Sequence, residues 1–169
     1  GNAMEWFDTH AHLTDAKFSD DAAETISRAR QAGVTQILNV FDGTGDPAAA
    51  KEFLNRHGLT LAAWGVHPHD ASEGVPQGME SVFEDARFRA VGEIGLDFHY
   101  DFSPRDVQRE VFIRQLDMAY GLNLPVILHI REAHGEALSM LRERRGRLLG
   151  GVAHCYSGSR ESAREYLDL

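Results

Sequence analysis

Short apolar runs and amphipathic stretches alternate along this chain from one end to the other. Residues 6–13 begin aromatic and apolar and then turn polar, while 34–41, 59–66, 89–94, 125–130 and 151–155 are apolar and often β-branched. These six runs predict strands, that over 34–41 buried on both faces. Between them lie helical patterns with their punctuation. Ser19 is a plausible N-cap ahead of the stripe Ala22, Ile26 and Ala29, and Gly33 stands where that helix would end. Asp46-Pro47 has the N-cap and N1 arrangement, and Gly58 stops the helix that it opens. A looser segment with Gly74, Pro76 and Gly78 leads to a short helix over 79–86. Ser103-Pro104-Arg105-Asp106 predicts an N-cap, an N1 proline and a carboxylate at N3, followed by Phe112, Leu116 and Ala119 on one face. Further helices are expected over 133–145 and from 159 to 167.

A βα unit repeated about six times implies a parallel sheet with right-handed crossovers. No composition break divides the chain, so a single α/β domain over 4–169 is expected, with 1–3 as the remnant of an expression tag. An open doubly wound sheet and a closed (β/α) barrel both fit the alternation. A complete barrel takes eight units and typically about 250 residues, more than the 169 present.

Composition narrows the class. The chain is 43% hydrophobic and 25% charged, the balance of an ordinary globular protein. No apolar run approaches the ~20 residues that span a bilayer, so no membrane partner is expected. One cysteine, Cys155, excludes an internal disulfide and fits a reducing cytoplasm. A net charge of −9 argues against a broad nucleic-acid-binding surface, which is usually basic. It leaves room for a nucleic-acid enzyme whose carboxylates hold divalent cations. Fifteen of the 17 basic residues are Arg, whose planar fork suits phosphate.

The candidate chemistry gathers where the strands end. The first ends in His10 and His12, the third in His67-Pro68-His69, the fourth in Glu93, the fifth in His129 followed by Arg131, and the sixth in His154. The carboxyl ends of strands are the face on which α/β barrels build active sites. Any one of these residues could be a buried or loop residue with no further role, but five accidents seldom share one face. Two divalent ions ~3.5–4 Å apart need ligands from several directions and a carboxylate that bridges them. Imidazoles from the first, fifth and sixth strands, with Glu93 between them, fit that need. His67 and His69 suit either a phosphate contact or a structural turn, and Arg131 suits a phosphate contact. Ser157-Gly158-Ser159 suits an anion or plain helix capping. Asp97 could support a ligand or form a local ion pair; Asp8 shares the face of the first histidine pair and stays unassigned. His57, His99 and His134 read as surface residues, and Cys155 as a small core hydrophobe. Gly43-Thr44-Gly45 lacks the lysine and the spacing of nucleotide loops.

Taken together, Asp8-Thr9-His10-Ala11-His12-Leu13, Gly65-Val66-His67-Pro68-His69, Gly92-Glu93-Ile94-Gly95-Leu96-Asp97, His129-Ile130-Arg131 and His154-Cys155-Tyr156-Ser157-Gly158 resemble the signature blocks of the TatD family of metal-dependent DNases. So does the stretch from Gln108 to Leu116 leading into Leu124-Pro125-Val126. The resemblance implies an amidohydrolase-like TIM-type barrel, of which about six of eight units are expected here. It also implies a metal-dependent hydrolase that cleaves phosphodiester bonds of DNA, often exonucleolytically, through water activated by two divalent ions (Mg, Mn or Zn). By that resemblance His10 and His12 hold one metal, Glu93 bridges, and His129 and His154 hold the other. His67 contacts the substrate phosphate and shares the catalytic role with Glu93, while Arg131 and Ser157 are candidate substrate contacts.

The family continues through two more strands and a metal-binding aspartate, which nothing in this sequence matches. The expectation is therefore a piece of a longer protein with low activity, an exposed edge between the first and sixth strands, and self-association through it. Other readings stay open: a phosphotriesterase-like, lactonase or aminoacyl-tRNA-type ester hydrolase sharing the ligand set, or a noncatalytic metal-binding fragment.

Overall fold

A computed structural model describes residues 7–11, 24, 27–28, 31–33, 36–58, 60–144 and 156–157, the backbone alone for 7–11, 36 and 156–157. Six parallel strands form one sheet: β1 (Phe7–Ala11), β2 (Gln36–Asp42), β3 (Thr60–Gly65), β4 (Phe88–Asp97), β5 (Val126–Arg131) and β6 (Tyr156–Ser157). Their spatial order is their chain order, β1-β2-β3-β4-β5-β6. A doubly wound sheet reverses direction at a switch point; this one steps the same way each time, as barrel strands do. The ambiguity between barrel and open sheet is thereby settled.

Helix α1 (Pro47–Arg56) joins β2 to β3, α2 (Arg105–Leu122) joins β4 to β5, and α3 (His134–Glu143) follows β5. Asp46 caps α1 as expected, its side chain accepting from Ala48 N at 3.0 Å with Pro47 behind it. The cap of α2 differs from expectation by one residue. Pro104, not Ser103, is the N-cap, and it offers no side-chain cap bond. The buried Ser103 hydroxyl is engaged elsewhere, donating to His69 O (2.9 Å) and accepting from Ser72 N (3.1 Å). Between β3 and β4 the chain makes two 3-10 helices, Pro68–Glu73 and Met79–Glu84. The first falls where a loose segment was expected, and the second replaces the expected short helix. Gly33 has φ +86°, the left-handed conformation that suits a helix end. Ser19, the Ala22/Ile26/Ala29 stripe, the expected strand over 151–155 and the helix over 159–167 lie outside the described residues.

Period-two alternation sorts the strand residues onto two faces. Val126, Leu128 and Ile130 of β5 pack with Phe112, Leu116 and Ala119 of α2 and Ala137, Leu138 and Leu141 of α3. Trp64 of β3 packs with Phe41, Phe88 and Leu54 of α1. The opposite face carries a smaller cluster of Leu38, Val40, Ala63, Ala90 and Ile127. His129 and Arg131 follow Ile127 at steps of two and so rise above that cluster, toward the carboxyl end.

β4 obeys the alternation only in two halves. It pairs with β5 as Val91↔Val126, Gly92↔Ile127, Ile94↔Leu128, Gly95↔His129, Leu96↔Ile130 and Asp97↔Arg131, with a register shift between Gly92 and Ile94. Glu93 is the extra residue of this bulge. Val91 before it and Ile94 and Leu96 after it all face the helices. An unbroken strand with Val91 so placed would point Glu93 at the helices too; the bulge reassigns it. Asp97 then lies on the side of His129. The strand ends three residues later than expected, because Leu96 and Asp97 continue the ladder past Gly95.

Candidate metal centre

Toward the carboxyl ends of β3, β4 and β5, three imidazoles meet two carboxylates. One ring nitrogen each of His67, His69 and His129 lie within 4.8 Å of one another. Glu93 (6% exposed) and Asp97 (1%) lie beneath them. His129 stands between the carboxylates, Nδ1 3.1 Å from Glu93 Oε1 and Nε2 3.0 Å from Asp97 Oδ2. His69 donates from Nε2 to the same Asp97 Oδ2 at 2.8 Å. His67 Nε2 lies 3.8 Å from Glu93 Oε1.

Asp97 has no spare capacity. Its Oδ1 accepts from His99 N (3.1 Å) and Tyr100 N (3.2 Å), while Oδ2 takes both imidazoles. Burial alone would push its pKa up, but the hydrogen bonds from His129, His69 and the Tyr100 amide hold it well below the usual carboxylate range. Asp97 therefore fixes the orientation of two imidazoles. His129 is held above its ordinary pKa: burial opposes its charge, and the hydrogen bonds to Glu93 and Asp97 outweigh burial. His67 goes the other way, down to about 4, because burial and the neighbouring His129 both disfavour its cation. Its Nδ1 accepts from His69 N at 3.1 Å, so the proton of the neutral ring sits on Nε2.

Two buried glutamines of α2 fix the strand ends that carry these groups. Gln115 accepts from Val66 N (2.7 Å) and donates to Val66 O (3.0 Å), clamping the residue before His67. Gln108 accepts from Asp97 N (2.8 Å) and donates to Asp97 O (3.0 Å) and Ser103 O (2.8 Å). A buried backbone amide must find a partner, and at both strand ends a side-chain amide supplies it. Seven residues apart, the two glutamines fall on one helix face, the strip that also buries Val111 and Phe112. Gly95 completes the mouth: a Cβ there would lie 1.9 Å from His129 O.

The donor set of imidazole and carboxylate suits a divalent transition metal, and the ion partners facing Asp97 are titratable imidazoles rather than a permanent guanidinium. Of the residues expected at the site, Glu93, His67 and His129 are brought together. Arg131 sits at the same mouth with its guanidinium carbon 4.8 Å from the Tyr100 ring centre. His10 is placed by its backbone near the end of β1, and Ser157 by its pairing with Arg131. His12, His154 and Cys155 lie outside the described residues. Asp97 and His69 take a larger part than the sequence assigned them. The signal in the sequence is spacing: Asp97 stands four residues, two full strand repeats, beyond Glu93 and so shares its side.

Comparison with known proteins follows the same lines. Residues 7–169 match the profile of a family described as TatD related DNase. A metal-dependent hydrolase of Bacillus subtilis named YabD, itself uncharacterized, is 37% identical over 166 residues, 96% of this chain and 65% of that protein. A 3'-5' ssDNA/RNA exonuclease TatD of Klebsiella pneumoniae is 37% identical over 96% of the chain and 63% of its own length. Among solved structures, the TatD homolog YJJV of Escherichia coli superposes with a TM-score of 0.80 at 32% identity, over 96% of this chain and 64% of that one. An uncharacterized amidohydrolase of Saccharomyces cerevisiae shares the fold, with a TM-score of 0.81 at 20% identity. The chain thus spans less than two thirds of each of these relatives.

Proposed function

This chain belongs to the TatD-related DNase family, and from that premise we propose that it is a metal-dependent hydrolase of phosphodiester bonds in single-stranded nucleic acid, working from the 3′ end. The observation that carries the reading is Glu93, lifted by a bulge out of the helix-facing set to stand beside His129 and His67. Two divalent ions would be held by His10, His12 and Glu93 and by Glu93, His129 and His154, with Glu93 shared. Bound there, such ions supply a hydroxide near neutral pH and neutralise charge on the phosphate. The protein's own groups do the rest. Asp97 holds the His129 ring through Nε2, which leaves Nδ1 facing Glu93, and Asp97 also holds His69. His67, neutral at pH 7 with its proton on Nε2, donates to a phosphate oxygen. Arg131 and Ser157, paired across β5 and β6, contact the substrate backbone. The single cysteine suits a cytoplasmic setting.

Among the described residues no helix is long and apolar enough to cross a membrane. The test is release of mononucleotides from a labelled single-stranded oligonucleotide with Mg²⁺ or Mn²⁺, alongside metal analysis of the purified protein. Chelation and His129→Ala should each abolish release. Turnover of lactones or phosphotriesters with none on DNA or RNA would overturn the substrate class.

A further inference from the structure

Immediately beyond Asp97 the chain holds two aromatic rings out into solvent. Tyr100 is 49% exposed and Phe102 is 64% exposed. Their rings are parallel to within 10° with centres 5.2 Å apart. The pair is continuous with the imidazole cluster, because the His69 ring meets Phe102 edge-on at 4.8 Å and Tyr100 at 5.9 Å. Arg131 lies over Tyr100, and among the described residues its guanidinium has no carboxylate partner.

The loop that carries the rings is fastened at several points. Asp97 takes the amides of His99 and Tyr100, Arg105 binds both oxygens of Asp101 and the carbonyl of Phe98, and Ser103 is tied to His69 O and Ser72 N. Rigid exposed aromatics next to the imidazole cluster ask for a flat partner. The net charge of −9 adds a constraint: an acidic protein draws little affinity from a nucleic-acid backbone. Stacking does not depend on charge, and every base offers a π-face.

We propose that Tyr100 and Phe102 form a stacking platform for a base of the single-stranded substrate, with Arg131 against an adjacent phosphate. This rests on the nuclease reading above and deepens it. A base lying on Phe102 brings its own phosphodiester toward the imidazoles, and recognition by a ring face tolerates any sequence.

The test compares kcat/KM of wild type, Phe102→Ala and Phe102→Trp on a single-stranded oligonucleotide and on one whose last three 3′ nucleotides lack bases. One stacked base is worth about a tenfold to hundredfold change. Phe102→Ala should therefore lose about that much on the intact oligonucleotide and less than about twofold on the abasic one. Phe102→Trp should keep wild-type rates. Equal rates for wild type and Phe102→Ala on the intact substrate would remove the platform and leave the nuclease standing, as would an equal loss on both substrates. A fall of several degrees in the unfolding midpoint of Phe102→Ala would mean that protein covers the ring, which also overturns the proposal. Failure of the wild type to cut either oligonucleotide would take the nuclease reading down first.

Discussion

β4 begins and ends beside a buried or half-buried aspartate, and the two are neutralised by different means. At its amino end, Asp85 accepts from Arg87 N and Nε (both 3.0 Å) and from Nη2 (2.7 Å), while Arg87 Nη1 reaches Asn55 of α1 at 2.7 Å. The partner is a guanidinium, charged at every accessible pH. At the carboxyl end, Asp97 and Glu93 face imidazoles, which can lose a proton and offer a lone pair. A guanidinium satisfies a carboxylate permanently and leaves nothing to exchange. An imidazole–carboxylate cluster keeps a charge that a metal can replace. One end of the strand is therefore built for stability, and the other for chemistry.

This contrast can be broken or sharpened by substitution at each end. The largest effect is expected for Glu93→Gln, which removes the charge and keeps the shape. Metal-dependent hydrolysis should fall about a thousandfold, several kcal/mol of transition-state stabilisation, while far-UV circular dichroism stays that of the wild type. Unchanged rates would dissolve the assignment of the carboxyl end. Gly95→Ala comes next, costing about 3 kcal/mol by urea unfolding, because the new Cβ meets the His129 carbonyl.

Gln115→Leu should cost about 2 kcal/mol by leaving both Val66 backbone groups buried and unpaired. Because it also frees the residue before His67, the proposed phosphate contact, kcat/KM should drop about tenfold to hundredfold, as when a substrate-positioning group is displaced. The smallest effect is expected for Asp85→Asn, about 1 kcal/mol after solvent screening. Its partner Arg87 draws the Asp85 carboxyl from 3.8 down to about 2 in the folded protein. A depressed pKa stabilises above the unfolded value and stops doing so as pH falls through the folded one. The difference in stability between wild type and Asp85→Asn should thus be constant above about pH 5 and shrink toward pH 2. Hydrolysis by Asp85→Asn should match the wild type; a tenfold loss would erase the distinction between the two ends.

The sequence by itself determined a good deal. Alternating runs, the Asp46-Pro47 cap and the glycine at 33 defined parallel βα units, because these depend on contacts a few residues apart. The apolar face of α2 was legible in Phe112, Leu116 and Ala119 for the same reason. Histidines at strand ends marked the mouth, since residues two apart on a strand must share a side. Tertiary structure decided what alternation misplaces. A strand drawn straight from Val91 turns Glu93 toward the helices, and only pairing with β5 showed the extra residue that turns it inward. Likewise Ser103 spends its hydroxyl on His69 and Ser72, thirty-odd residues back in the chain, rather than on the helix it precedes. The order β1 to β6 chose the barrel over the open sheet. Asp97 became an orienting carboxylate only once the 3-10 helix after β3 brought it His69 and β5 brought it His129. Local spacing fixes which side chains share a face; which faces meet is set by packing among segments far apart in the chain.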